Sequence, residues 1–252
     1  MAEPRMPDDL VRLWRLRTGP RLGRPAELDI DRVVGAAVRL ADEGGLPAAT
    51  LPKIAAALSV TPMSLYRHIG SKDELVGLMG DAALGAVPES DAGPWRPALR
   101  RWAMAQSEVF GRRPWLAQLP VTGPPRGPNA IAWMDAGLRA LRDTDLDWAA
   151  KIGVITVVGG YVRQAFVMDR QLAESRSAVN LDEAQALRDY VRELTEVVDP
   201  ALFPDVTALL GSGLFESIPE PPDSANQDFA FGLELILDGV AAAAGTTGSP
   251  GG

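Results

Sequence analysis

Residues 50–69, TLPKIAAALSVTPMSLYRHI, carry two prolines, Pro52 and Pro62, each just behind a threonine and at the front of a short apolar-periodic run. Proline has no N–H and a fixed φ, so a helix accepts it only in the first turn. This forces two short helices broken at SVTP instead of one long one. Ile54, Ala55 and Leu58 share one side of the first, and Leu65 and Ile69, four residues apart, share one side of the second. Thr50 and Thr61 read as N-caps. With Pro52 unable to donate, the Thr50 hydroxyl is expected to cap Lys53.

The same punctuation continues on both sides. From Asp29 onward Ile30, Val33, Val34, Ala37, Val38 and Ala41 recur at helical steps, and Gly44–Gly45 close the segment. After Gly70, Ser71 with Glu74 three residues on has the form of a capping box, opening a helix that bears Leu75, Leu78, Met79 and Ala82. Beyond VPESDAGPW, Pro/Gly breaks divide the chain into helices over 94–111, 127–142, 147–175, 182–198, 200–211 and 226–244, with no useful strand alternation and no repeat. The expected fold is all-α. A basic, flexible arm (1–27) precedes a helix-turn-helix domain (28–86, motif 50–69), followed by a larger helical domain (94–244) and a disordered tail (245–252).

Charge separates the two domains. The 252 residues have a net charge of −8, but residues 1–72 hold 11 Lys/Arg against 8 Asp/Glu, a net of +3, so the remainder carries −11. A mildly basic head on an acidic body suits a nucleic-acid partner at one end only. Arg12, Arg15, Arg17, Arg21 and Arg24 follow one another with no acid between them, which fits either a solvated tail or an arm laid on DNA. The absence of cysteine removes disulfides, thiolate metal sites and cysteine nucleophiles. No uncharged run exceeds about 14 residues, short of the ~20 of a membrane span, and a cytoplasmic location is expected.

If Ile54, Leu58, Val60 and Leu65 form the buried seam of the two helices, Thr61, Met63, Ser64, Arg67 and His68 are left outward. A helix lying in the major groove offers its first turn to base edges and its flanks to phosphates. Thr61, Met63 and Ser64 are short enough to touch bases, while Tyr66, His68 and Lys72 can reach phosphate oxygens. Each residue also has a plainer role: Tyr66 as packing between helices, His68 as a helix-end group, Lys72 as a surface lysine.

Residues 28–86 resemble the DNA-binding domain of the tetracycline-repressor family of bacterial transcription regulators. The resemblance is carried by VVGAAVRLADEGG, TLPKIAAALSV and, above all, MSLYRHIGSKDEL. It implies that Thr50 anchors a phosphate, that Thr61, Pro62, Met63 and Ser64 form the base-reading edge, and that Tyr66, His68 and Lys72 clamp the backbone; Lys53 and Arg67 complete the expected DNA-binding set. Two residues depart from the family pattern. Pro52 stands where many members place a side chain that can reach a base, and Ser59 replaces the usual turn glycine.

The resemblance implies a body that dimerises and binds an effector. For an effector pocket, Trp102, Trp133, Phe166 and Met168 could supply walls, and Gln106, Asn129, Tyr161 and Gln164 polar groups, although aromatics at helical spacing also serve as core. For a homodimer interface, Gly153, Gly159 and Gly160 permit close helix approach, and Phe229, Leu233, Ile236, Leu237 and Val240 form a helix-spaced stripe that an internal core would use equally well. The expected function is a homodimeric repressor released from a palindromic DNA operator by a small molecule. An activator, or a regulator answering to a protein partner, fits the same sequence. An enzyme with such a head fits less well: no G-x-S-x-G, glycine-rich phosphate loop or H-E-x-x-H occurs, and no catalytic residue, cofactor or metal is expected.

Overall fold

The computed structural model describes residues 6–15, 28–89, 93–178, 183–216 and 223–246, and among these every regular element is helical. The chain divides into two compact units, residues 1–163 with 244–252, and residues 164–243.

In the first unit, α1 (Asp8–Leu13) precedes α2 (Ile30–Gly44), whose N-cap Asp29 accepts the Arg32 N–H at 2.8 Å. Val33, Val34, Ala37, Val38 and Ala41 are buried as their spacing predicts, and Gly45 ends the helix at φ 72°. A 3₁₀ turn, Leu46–Ala48, leads into α3 (Leu51–Ala57) and α4 (Pro62–Ile69), with Ile54, Ala55, Leu65 and Ile69 buried between them. Leu58 and Val60, expected in the seam, are partly buried at its edge. Ser59 has φ 56° and its N–H meets the Ala56 carbonyl at 3.1 Å, while Val60 N–H meets Ala55 at 2.9 Å. This is a Schellman turn, with serine at the left-handed position where glycine is usual.

Gly70, at φ 66°, separates α4 from α5 (Lys72–Leu84). Half of the expected capping box forms. Ser71 Oγ accepts the Glu74 N–H at 3.0 Å, but the Glu74 carboxylate turns away to both Nε and Nη2 of Arg12. Leu75, Leu78 and Met79 are buried as expected, whereas Ala82 is exposed and Ala83 takes the inward place. The two threonines are N-caps in backbone only. Both are extended, yet neither hydroxyl makes a capping bond, because Thr61 Oγ1 pairs with Ser64 Oγ at 2.8 Å and Thr50 caps nothing.

The unit continues with α6 (Trp95–Arg112), a 3₁₀ turn at Pro114–Gln118, α7 (Pro128–Ala140) and the start of α8 (Trp148–Ala178). Its core runs on from the head, since Trp115, Leu116 and Trp133 join the cluster containing Ile54, Leu65 and Leu78. The arm expected at 1–27 is not wholly loose: Val11 is buried and Leu13 packs on that same cluster. In the second unit the rest of α8 is followed by α9 (Glu183–Val197), α10 (Pro204–Leu210), a 3₁₀ turn at Leu214–Glu216 and α11 (Asp223–Thr246). There Tyr190 and Phe215 meet edge to face, 6.0 Å between ring centroids. Residues 247–252 of the expected tail lie outside the described residues.

Candidate nucleic-acid interface

The first turn of α4 is built outward. Pro62 begins it, Leu65 and Ile69 turn inward, and Thr61, Pro62 and Met63 face solvent with Met63 72% exposed. An apolar side chain held out at a helix N-terminus contributes nothing to the core, and is suited to an apolar partner such as a thymine methyl. Ser64 Oγ also donates to the Thr61 carbonyl at 2.8 Å, so the two hydroxyls are held together by local bonds. Thr50, Lys53, Tyr66, Arg67 and Lys72 are exposed and His68 is half-buried. No acid occurs between Thr50 and Ser71, so nothing within this stretch repels phosphate. Exposed hydroxyls, a lone methionine and cations in a turn-linked helix pair have the composition of a groove-reading surface.

Two of the five arm arginines have other partners. Arg12 holds Glu74, and this bond keeps its guanidinium even more firmly protonated than usual. Arg15 Nε lies 2.7 Å from Asp31 Oδ1 while its Nη1 donates to the Arg12 and Leu13 carbonyls. Both acids lie in the first turns of helices, and a short helix seated on the core brings the arginines to them. Arg17, Arg21 and Arg24 lie outside the described residues. Reading the arginine run as one unit missed that its first members belong to a docked helix, for which the spacing of Leu10, Val11 and Leu13 was the available signal.

The helix pair α3–α4 is tied to the rest of the unit through α5. Asp81, on α5, caps α7: its carboxylate accepts Ala130 N–H at 2.9 Å and Asn129 Nδ2 at 3.2 Å, and Asn129 Nδ2 also reaches the Asp81 carbonyl at 3.0 Å. Gly127 leaves room for that carboxylate, which any β-carbon there would strike. The Asn129 amide, expected in the pocket, thus joins α7 to α5. Arg126 joins α1 through Asp9 at 2.9 Å and accepts the Trp14 indole N–H on its carbonyl at 2.8 Å. Arg113 Nη1 donates to the Ala83 carbonyl at 2.9 Å, and Trp115 Nε1 to Asp42 at 2.7 Å. None of these cross-links was marked by local pattern.

Between α6, α7, residues 87–89 and Gly93 lies a cavity of about 480 Å³. Of the eight predicted pocket residues only Trp102 and Trp133 line it. Gln106, one turn past Trp102, points instead towards Gly159, and its amide nitrogen is buried without a partner among the described residues. Tyr161 is half-buried on α8, while Gln164, Phe166 and Met168 belong to the second unit, Gln164 and Met168 on exposed positions. The residues expected at the dimer interface differ in exposure within the chain. Leu233, Leu237 and Val240 are buried within the single chain, and Phe229 and Ile236 are half-buried. The large apolar groups of α11 left open are Phe231 (68% exposed) and Leu235 (57%). Gly159 meets Trp102 and Gln106 inside the chain, whereas Gly153 and Gly160 are exposed.

A basic two-helix reader joined to a larger helical body defines a helix-turn-helix transcription regulator, and comparison with known proteins places it more narrowly. Residues 33–79 match the profile of bacterial regulatory proteins of the tetR family, and residues 87–244 match the tetracyclin repressor-like C-terminal domain. The chain belongs to the tetracycline-repressor family. It is 34% identical to the HTH-type transcriptional repressor DrrR1 of Streptomyces coeruleorubidus, over 90% of this chain and 83% of that protein. A transcriptional repressor of Mycobacterium tuberculosis is 28% identical over 82% of this chain and 77% of its own length. Among solved structures, ActR of Streptomyces coelicolor in complex with actinorhodin aligns with a TM-score of 0.70 and 26% identity, over 87% of this chain and all of that one.

Proposed function

We propose that the chain acts as a homodimeric repressor that occupies a palindromic operator and leaves it when a small molecule binds the body. The observation that carries the reading is the first turn of α4, where Thr61, Pro62 and Met63 stand outward, with Ser64 half-buried beside them, in an acid-free stretch. In this reading Thr61 to Ser64 touch bases, Thr50, Lys53, Tyr66, Arg67, His68 and Lys72 hold phosphates, and Arg17, Arg21 and Arg24 add charge beside them. The repressor names of the relatives, and the ligand in the ActR complex, support repression and release by a small molecule.

A dimer supplies the two-fold symmetry a palindrome requires, with recognition helices ~34 Å apart. Phe231 and Leu235 on α11, and Ile152 and Val157 on α8, are among the exposed apolar groups that could form it. A ligand preferring a conformation with wrongly spaced heads shifts the population off DNA by its differential affinity. The chain needs no catalytic residue for this. We place it in the cytoplasm, and assign α8, which is long and apolar enough to cross a membrane by length and composition, to the helical body.

The test is to capture genomic fragments on purified protein, locate the shared sequence and footprint it. A two-fold-symmetric footprint lost in Met63→Ala with Tyr66→Ala, at unchanged helical content, is expected. A footprint that survives both substitutions would overturn the assignment of α4 as the reader.

A further inference from the structure

We propose that the first turn of α4 selects an A·T pair in each operator half-site, with the Thr61 hydroxyl accepting from the adenine amino group and Met63 covering the thymine methyl. The inference deepens the reading of α4 as the base-reading helix and rests on it. What fixes the choice is where two hydroxyl protons go. The Thr61 carbonyl accepts from Ser64 twice, from its N–H at 3.0 Å and from its Oγ–H at 2.8 Å. A hydroxyl has a single proton, so Ser64 has none left for the 2.8 Å contact between its Oγ and Thr61 Oγ1. Thr61 is therefore the donor in that contact.

Both protons are thus spent inside the turn. Thr61 is exposed and Ser64 half-buried beside it, so the outward oxygen keeps two lone pairs and offers no donor. Pro62, the next exposed residue, has no N–H to add. An edge that only accepts discriminates between bases. In the major groove adenine N6 and cytosine N4 donate, whereas guanine N7 and O6 and thymine O4 accept. Facing either of the last two bases, Thr61 sets lone pair against lone pair and bonds neither.

Met63 then chooses between adenine and cytosine. It is the most exposed methionine among the described residues, at 72% against 53% for Met168. Its flexible thioether chain carries no donor and gains from apolar contact, and the thymine methyl is the one methyl group displayed on the major-groove edge. Only an A·T pair presents an amino donor and a methyl together. Ser64 is a positioning residue in this scheme, because it takes up the proton that would otherwise let Thr61 donate to guanine or thymine.

The test uses the full chain and an operator duplex defined by footprinting, titrated by fluorescence anisotropy. At each A·T pair of the half-sites, adenine is replaced by unsubstituted purine, which lacks the amino group, or thymine by uracil, which lacks the methyl. At one such pair, Thr61→Val should raise Kd about fivefold or more on the natural duplex and less than about twofold on the purine duplex. Met63→Ala should lose its effect in the same way on the uracil duplex. Thr61 makes no capping bond to α4, so its hydroxyl can be removed without taking a bond from the helix, and Thr61→Ser, which keeps the hydroxyl, should retain the coupling to adenine. Ser64→Ala frees the Thr61 proton and should lower the preference for adenine over guanine at that position by about fivefold. A Thr61→Val effect equal on both duplexes, or one that vanishes instead with 7-deazaadenine, which lacks the N7 acceptor, would overturn the adenine contact. An unchanged preference in Ser64→Ala would overturn the hydroxyl relay, and a Met63→Ala effect that persists with uracil would overturn the methyl contact. Binding insensitive to both Thr61→Val and Met63→Ala would overturn α4 as the reader itself, whereas sensitivity without coupling to either group overturns the base assignment and leaves the reader in place.

Discussion

Ser59 is a serine in the left-handed region, at φ 56°, where a β-carbon costs roughly 1 kcal/mol. Ser59→Gly should therefore stabilise the chain by at most about 0.5 kcal/mol after allowing for the greater freedom of unfolded glycine, read as a slightly higher midpoint in urea with an unchanged slope. Lys72 is exposed in the first turn of α5 and makes no side-chain bond there among the described residues. If it holds a phosphate, Lys72→Ala should weaken all DNA sequences alike and reduce the salt slope by about 1. A sequence-selective loss would instead place Lys72 at a base. The turn, the glycine stops and the outward face of α4 were all legible from sequence, because each depends on neighbours within a few residues. The hydroxyl bonds of Thr50 and Thr61 were not. Proline at N1 or N2 removes a donor, and Ser64 was the closer partner for Thr61.

At the level of elements, the cross-links between helices decide how the reader is held. The Asp81 carboxylate satisfies backbone donors at the start of α7, which a helix N-terminus otherwise leaves open. Asp81→Ala should cost about 1–2 kcal/mol, read as a lower midpoint in thermal unfolding. The seating of α1 alters how the basic arm must be tested. Removing the whole N-terminus would also strip Val11 from the core and leave Glu74 without Arg12, so lost DNA binding would prove little. Changing Arg17, Arg21 and Arg24 to glutamine keeps α1. If those side chains meet phosphates, the salt slope should fall by up to about 3, roughly 0.9 for each contact.

For the whole molecule, assembly is the open arrangement that the exposed surface constrains. Leu235→Glu with Phe231→Glu puts charge on exposed positions of α11, which an isolated chain tolerates and a dimer interface does not. The expected result is a monomer in sedimentation with unchanged helical content and at least a hundredfold weaker operator binding. A dimer that persists would move the interface elsewhere. By contrast, Leu237→Glu should unfold the chain, since that residue is fully buried.

Helix existence, phase, most ends, the all-α class and the acid-free outward face of α4 follow from the amino-acid order alone, since proline, glycine and periodic apolar residues act over three or four positions. Tertiary structure decided matters of partnership. Both Leu233/Leu237 and Phe231/Leu235 lie on α11 as apolar groups, and only packing chose which pair to bury. Asn129 went to Asp81, 48 positions away, and Arg12 to Glu74, 62 away. At such separations a polar side chain selects whichever partner the folded helices bring within reach, and burial then makes leaving it unpaired costly.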